Sequence, residues 1–144
     1  MSLVFRPIDL EAHAELCVHF RRDAFACSFT DGDRRFALES GEHAQDYLSW
    51  LNKRIVACPE SCVHVFDGQE IIGQIETELR GQEKLGYVYL FYVIPSRRGK
   101  GDSEQLHAYV MQLYEAVCLI RAQISVSPTN LTAINFYKRH VRQA

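Results

Sequence analysis

Alternation and helical stripes divide the chain into a strand, two helices, a run of strands, and then helix, strand and helix. Leu3 to Ile8 alternates like a first strand, stopped by Pro7 and Asp9. Asp9 has the chemistry of an N-cap, and Leu10, Ala14 and Cys17 follow on one stripe, with Leu16 and Phe20 beside it. Residues 27–41, CSFTDGDRRFALESG, are polar and glycine-punctuated and predict a connection without regular structure. The spacing of Ala44, Tyr47, Leu48, Leu51 and Ile55 predicts a second helix over Glu42 to Ala57, with Pro59 soon after its end.

Period two then takes over. Cys62 to Phe66 and Glu70 to Leu79 predict strands joined by Asp67-Gly68, a strong hairpin signal. In the second strand Ile71, Gly73, Ile75 and Thr77 fall on one face, and Ile72, Gln74, Glu76 and Glu78 on the other. Gly86 leads into a strand from Tyr87 to Ile94, ended by Pro95. Leu106, Val110, Leu113 and Val117 mark a helix from Ser103 to Val117, Leu119 to Ser127 a strand, and Pro128 with Asn130 the opening of a short last helix. The order β-α-α-β-β-β-α-β-α predicts an α/β or α+β arrangement with helices covering a mixed sheet.

Composition narrows the functional classes. A chain of 144 residues, 47% hydrophobic, suits a single domain with its own core over residues 1–144. The net charge of −2 argues against nucleic acid as a partner, because a phosphate backbone demands a broad basic surface. No apolar run approaches the roughly 18 residues that span a bilayer, so no membrane partner is expected. The N-terminus MSLVFRPIDL lacks the apolar stretch of a signal peptide, which predicts a cytoplasmic location. Cys58, Cys62 and His64 invite a metal-site reading, but C-x3-C spacing without a second ligand pair favours free thiols, and no metal is expected.

Positive charge is local. It concentrates at Arg97 to Lys100, between glycines, where a strand hands over to a helix. A P-loop would need glycine at Ile94 and Ser or Thr after Lys100; a dinucleotide fingerprint starting at Gly99 would need glycine at Glu104. Both are ruled out. What remains is either a turn whose N–H groups and arginines hold a phosphate, or an ordinary strand-to-helix turn with surface arginines.

The context decides between them. V-x-P-x-x-R-G-x-G at Val93 to Gly101 resembles the acyl-CoA-binding segment of the GNAT superfamily of N-acyltransferases. N-x-x-A-x-x-F-Y at Asn130 to Tyr137 is similar to that family's second signature, and the hairpin from Asp67 to Glu76 to its sheet core. The resemblance spans nearly the whole chain. It implies a mixed, mostly antiparallel central sheet flanked by helices, and an acetyl-CoA-dependent N-acetyltransferase in which a primary amine attacks the thioester directly in a ternary complex. It also implies that Arg97, Arg98, Gly99, Lys100, Gly101, Asp102 and Ser103 surround the pyrophosphate. The backbone at Tyr92 and Val93 would pair with the pantetheine arm, with Asn130 nearby, and Tyr137 would protonate the departing thiolate. Glu76 is the first choice for the base, ahead of Glu78 and His64. Phe29, Glu78 and Tyr89 are placed beside the acceptor, a small-molecule or peptide amine.

Two departures from the family pattern stand out. Asp102 replaces an apolar residue and would repel a diphosphate if it faced the ligand; Ser103 replaces glycine or alanine. The sequence also stops seven residues past Tyr137, without the family's usual closing strands, which predicts an open apolar sheet edge covered by a second copy of the chain. The alternative reading is a non-catalytic acyl-CoA-binding module or a shortened, degenerate relative.

Overall fold

The computed structural model describes residues 3–80, 85–116 and 121–124. Strand β1 (Val4–Pro7) leads into helix α1 (Leu10–Ser28), α2 (Gly32–Ser40) and α3 (Gln45–Ala57). Strands β2 (Cys62–Asp67), β3 (Glu70–Arg80) and β4 (Leu85–Val93) follow, then α4 (Asp102–Ala116) and β5 (Arg121–Ile124). The sheet is ordered β1-β2-β3-β4-β5; the first four strands are antiparallel, and β5 runs parallel to β4 over Leu85 to Val88. No described helix is long and apolar enough to cross a membrane. The expected closing helix and the sheet edge beyond Ile124 lie outside the described residues.

Local chemistry explains most boundaries. The Asp9 carboxylate accepts from the N–H groups of Glu11 and Ala12, at 3.1 and 3.4 Å, and so starts α1 as a capping side chain should. Helix α3 begins three residues later than its stripe predicts, because His43 and Ala44 both take left-handed φ, 52° and 57°. A helix cannot run through such residues.

The clearest difference from the pattern is α2, which occupies the stretch expected to be irregular. Its buried residues are Gly32, Phe36 and Ser40, one aromatic between two small residues. Hydropathy barely registers such a stripe. Gly32 has a specific reason to be glycine, since a Cβ there would lie 2.5 Å from the carbonyl oxygen of Phe25 on α1. Another correction concerns Ile72. A bulge opposite Val65 and Phe66 displaces it from the face of Gln74 and Glu76. It joins the apolar cluster of Val63, Val65, Ile75, Val88, Leu106 and Val110 under α4.

The opposite face carries Ile8, Cys17, Tyr47, Leu51 and Cys62, covered by α1 and α3. Both faces are therefore buried, but only this second one buries a carboxyl, an imidazole and thiols.

Candidate active site

The turn after β4 is built as its residue types suggest. Pro95–Arg97 form a single 3-10 turn, and Gly99 and Gly101 follow with φ of 75° and 89°. Those left-handed values favour glycine. A Cβ at either position would meet nothing within 4 Å, so the backbone borders open space. The fifteen-residue helix α4 starts at once, at Asp102, and its first N–H groups face the turn with the positive end of the helix dipole. Lys100 is exposed and Ser103 half-buried in its first turn.

Two charged residues of this turn face inward. Arg97 donates through Nε and Nη2 to Asp102, at 2.8 and 3.2 Å, and through Nη1 to Asp67 at 2.6 Å. The Asp102 carboxylate is thus buried against a guanidinium instead of standing over the open turn. Asp67 ties the β2–β3 hairpin to the same fork. Its part in the turn has no local sequence signal, since it lies far from Arg97 in the chain.

Arg98 runs back along β4. Its Nε donates to the Val93 carbonyl at 2.8 Å and its Nη2 to Asp23 on α1 at 2.9 Å, while the guanidinium lies 5.3 Å from the centre of the Tyr92 ring. Tyr92 stacks on Phe20, ring centres 4.6 Å apart.

Deeper along the sheet lies a polar chain. Glu76 is completely buried; its Oε2 accepts from the Tyr47 hydroxyl at 2.5 Å and from the Gln74 amide at 2.6 Å. Gln74 Oε1 meets His64 Nε2 at 2.7 Å, and His64 Nε2 lies 3.6 Å from the Cys17 sulfur. Burial pushes the Glu76 carboxyl above its ordinary value, with the bonds from Tyr47 and Gln74 offsetting part of the rise. Burial also drives His64 down to about 4, so its ring is neutral at physiological pH. The thiols of Cys17 and Cys62 are pushed up to about 12, chiefly by burial and then by Glu76, and stay protonated. Glu76 Oε1 has no partner among the described residues.

Glu78 lies nearer the end of β3. It accepts from the Tyr89 hydroxyl at 2.6 Å and pairs with Arg54 at 3.7 Å. Tyr89 is the extra residue of a bulge, since Glu76 faces Leu90 while Thr77 faces Val88; its ring meets Trp50 edge-on. Strands β3 and β4 therefore carry Glu76, Glu78, Tyr89, Tyr92 and Val93 on one continuous ladder that runs into the glycine turn. Phe29 sits elsewhere, at the end of α1, beside Phe25 and under Arg35. A cavity of about 840 Å³ lies among α1, α2 and α3, lined by His19, Arg22, Asp33, Phe36, His43 and Leu48 among others. Asn130 and Tyr137 lie outside the described residues. No group of three or more His, Cys, Asp or Glu among the described residues is arranged to hold a metal.

Comparison with known proteins agrees with this fold. A model described as the acetyltransferase (GNAT) family matches residues 20–141. A search of curated protein sequences found no match. Among solved structures, the PaiA N-acetyltransferase of Thermoplasma acidophilum, in complex with coenzyme A, is similar with a TM-score of 0.73 at 14% identity, over 96% of this chain and 88% of that one. The putative acetyltransferase YycN of Bacillus subtilis gives 0.74 at 16% identity, over 99% and 93%. The diaminobutyrate acetyltransferase EctA of Paenibacillus lautus, in complex with L-2,4-diaminobutyric acid and coenzyme A, gives 0.63 at 16% identity, over 96% and 74%. At such identities these structures speak for the fold.

Proposed function

The chain belongs to the acetyltransferase (GNAT) family, and from that premise we propose that it moves an acetyl group from acetyl-CoA to a primary amine by direct attack in a ternary complex. The observation that carries this reading is the glycine turn. Two left-handed glycines border open space immediately before a fifteen-residue helix, in the turn after β4.

In this reading the backbone from Arg98 to Ser103 holds the pyrophosphate, with N–H groups and helix dipole acting together. The Tyr92 and Val93 backbone guides the pantetheine arm as an added strand would. The bulge at Tyr89 leaves backbone off the ladder, and a strand N–H there stabilises charge developing on the thioester oxygen. An amine with a pKa of ~10.4 must lose a proton before it attacks. Glu76 takes that proton, directly or through one water at Oε1; its raised pKa brings it closer to the operating pH of a base. Tyr137 returns a proton to the thiolate. Asn130 lies along the arm, and Glu78 and Tyr89 border the acceptor, while Phe29, expected beside them, packs against Phe25 and Arg35 instead. That acceptor is a small-molecule or peptide amine, a reading in keeping with the diaminobutyric acid bound by EctA. A cytoplasmic location is in keeping with acetyl-CoA as the donor.

Calorimetric titration with acetyl-CoA tests the turn. Micromolar binding is expected for the natural chain and its loss in Gly101→Asp, which adds both a Cβ and a negative charge. Absence of binding by the natural chain would sink the reading. Turnover across a panel of amines, lowered in Tyr137→Phe with donor binding intact, then separates an enzyme from a module that only binds the donor.

A further inference from the structure

Asp23 belongs to none of the motifs above, yet it grips the turn. Phe20, Asp23 and Cys27 fall at helical spacing on one stripe of α1, and all three face the end of β4 or the residue after its turn. Phe20 stacks on Tyr92, and the Cys27 sulfur lies 3.6 Å from Arg98 Nη1. A single oxygen, Asp23 Oδ2, accepts both the Tyr92 hydroxyl at 2.6 Å and Arg98 Nη2 at 2.9 Å.

The grip has a consequence for the strand edge. The Ile94 N–H bonds to the Ile72 carbonyl on β3 at 2.9 Å. Successive residues of a strand point their backbone groups to opposite sides, so Val93 turns its carbonyl away from β3, toward the lane assigned to the pantetheine arm. That carbonyl is taken already, by Arg98 Nε at 2.8 Å. The same guanidinium that would meet the pyrophosphate therefore lies over the acceptor that the arm would use.

We propose that Asp23 is a latch, holding Arg98 across the Val93 carbonyl in the free protein and surrendering it to the diphosphate of the donor. The proposal rests on the acetyl-CoA reading of the turn. A diphosphate binds a guanidinium through paired, charge-assisted bonds. Asp23 is 30% exposed and Arg98 40%, so the pair they form is weak and water replaces it readily. Asp23 keeps the Tyr92 hydroxyl when Arg98 leaves. Burial pushes the Asp23 carboxyl up, but the bonds from Tyr92 and Arg98 outweigh it and hold the group below its ordinary value, ionised in the free state. The latch makes Asp23 a selectivity residue: donors with a diphosphate open it, and bare pantetheine thioesters do not.

Asp23→Asn tests this, because an amide still accepts the Tyr92 hydroxyl while losing the charge that holds Arg98. Calorimetry should show acetyl-CoA binding about threefold or more tighter in Asp23→Asn, an increase set by the loss of a part-exposed ion pair. Arg98→Ala should have opposite effects on two donors, weakening acetyl-CoA and tightening S-acetylpantetheine. Asp23→Ser provides the same test if the amide perturbs folding. Natural chain that binds acetyl-CoA, with Asp23→Asn equal or weaker, overturns the latch and leaves the turn's function standing. Natural chain that binds no acetyl-CoA overturns the function itself.

Discussion

The two faces of the sheet are buried alike and built differently. Toward α4, strands β2 and β3 present Val63, Val65, Ile72 and Ile75, and the helix answers with Leu106, Val110 and Tyr114. Toward α1 and α3 the same strands present Cys62, His64, Gln74 and Glu76, all at 1% exposure or less. Alternation thus sorts oil to one side and hydrogen-bonded, ionisable groups to the other. Burying the second set costs stability unless each polar atom finds a partner, and one of the network's atoms, Glu76 Oε1, has none among the described residues. A fold that needed only a core would have used the first solution twice. The polar face thus carries a cost that the apolar face does not, and it adjoins the strand that ends in the glycine turn.

The contrast can be broken first from the apolar side. Leu106→Ala, at a fully buried site, should lower unfolding free energy by about 4 kcal/mol in urea titration. Acetyl-CoA affinity measured on the remaining folded protein should hold, because the bonds that shape the turn, from Arg97 to Asp67 and Asp102, do not involve Leu106. An equal loss of affinity would merge the two faces into one unit.

Acid should strike the polar face. The folded-state pKa of His64 is depressed to about 4, so the unfolded chain binds more protons there between pH 6.5 and 4. Stability is then lost as pH falls through that window, by roughly 3 kcal/mol for this group. His64→Gln should flatten the acid limb of a urea-midpoint curve. Glu76 acts in the other direction. Its folded-state pKa is raised, so its contribution favours the fold at low pH and is lost as pH rises through that value.

Glu76→Gln sharpens the comparison further. Turnover with a responsive amine should fall about 10²-fold, the lower range for loss of a general base, while stability near neutral pH rises and acetyl-CoA binding stays within about twofold of the natural chain. An unchanged rate would make Glu76 a purely structural acid. The smallest effect belongs to the apolar face again: the buried Tyr114 hydroxyl has no partner among the described residues. Tyr114→Phe should therefore be neutral or raise stability by up to about 1 kcal/mol in the same titration.

Much of this was legible locally. Asp9, the Asp67-Gly68 hairpin and the paired glycines of the turn each announce a backbone state within a few residues. What escaped was long-range. Helix α2 hides because Gly32 is buried for closeness of approach and Ser40 as an acceptor for Arg21, neither of which hydropathy registers. Tyr47 reads correctly as a core stripe residue, but nothing near it foretells that its hydroxyl will hold Glu76, twenty-nine residues on. Asp23 belongs to no motif in the sequence, and its role appears only once β4 and its turn are brought beneath it. The alternation placed Ile72 beside Gln74, and a single bulge moved it to the other layer.

The fork of Arg97 onto Asp67 and Asp102 also orders events in time. Asp102 follows Asp67 by thirty-five residues in the chain (102 minus 67), a stretch that a ribosome takes about 2 to 7 seconds to add. Asp102 lies five residues from Arg97 and can pair with it locally, but until the hairpin has met the later segment Arg97 lacks its second partner, Asp67. The glycine turn is thus a late product of folding: a half-made chain exposes its glycines and arginines before they have a shape to offer.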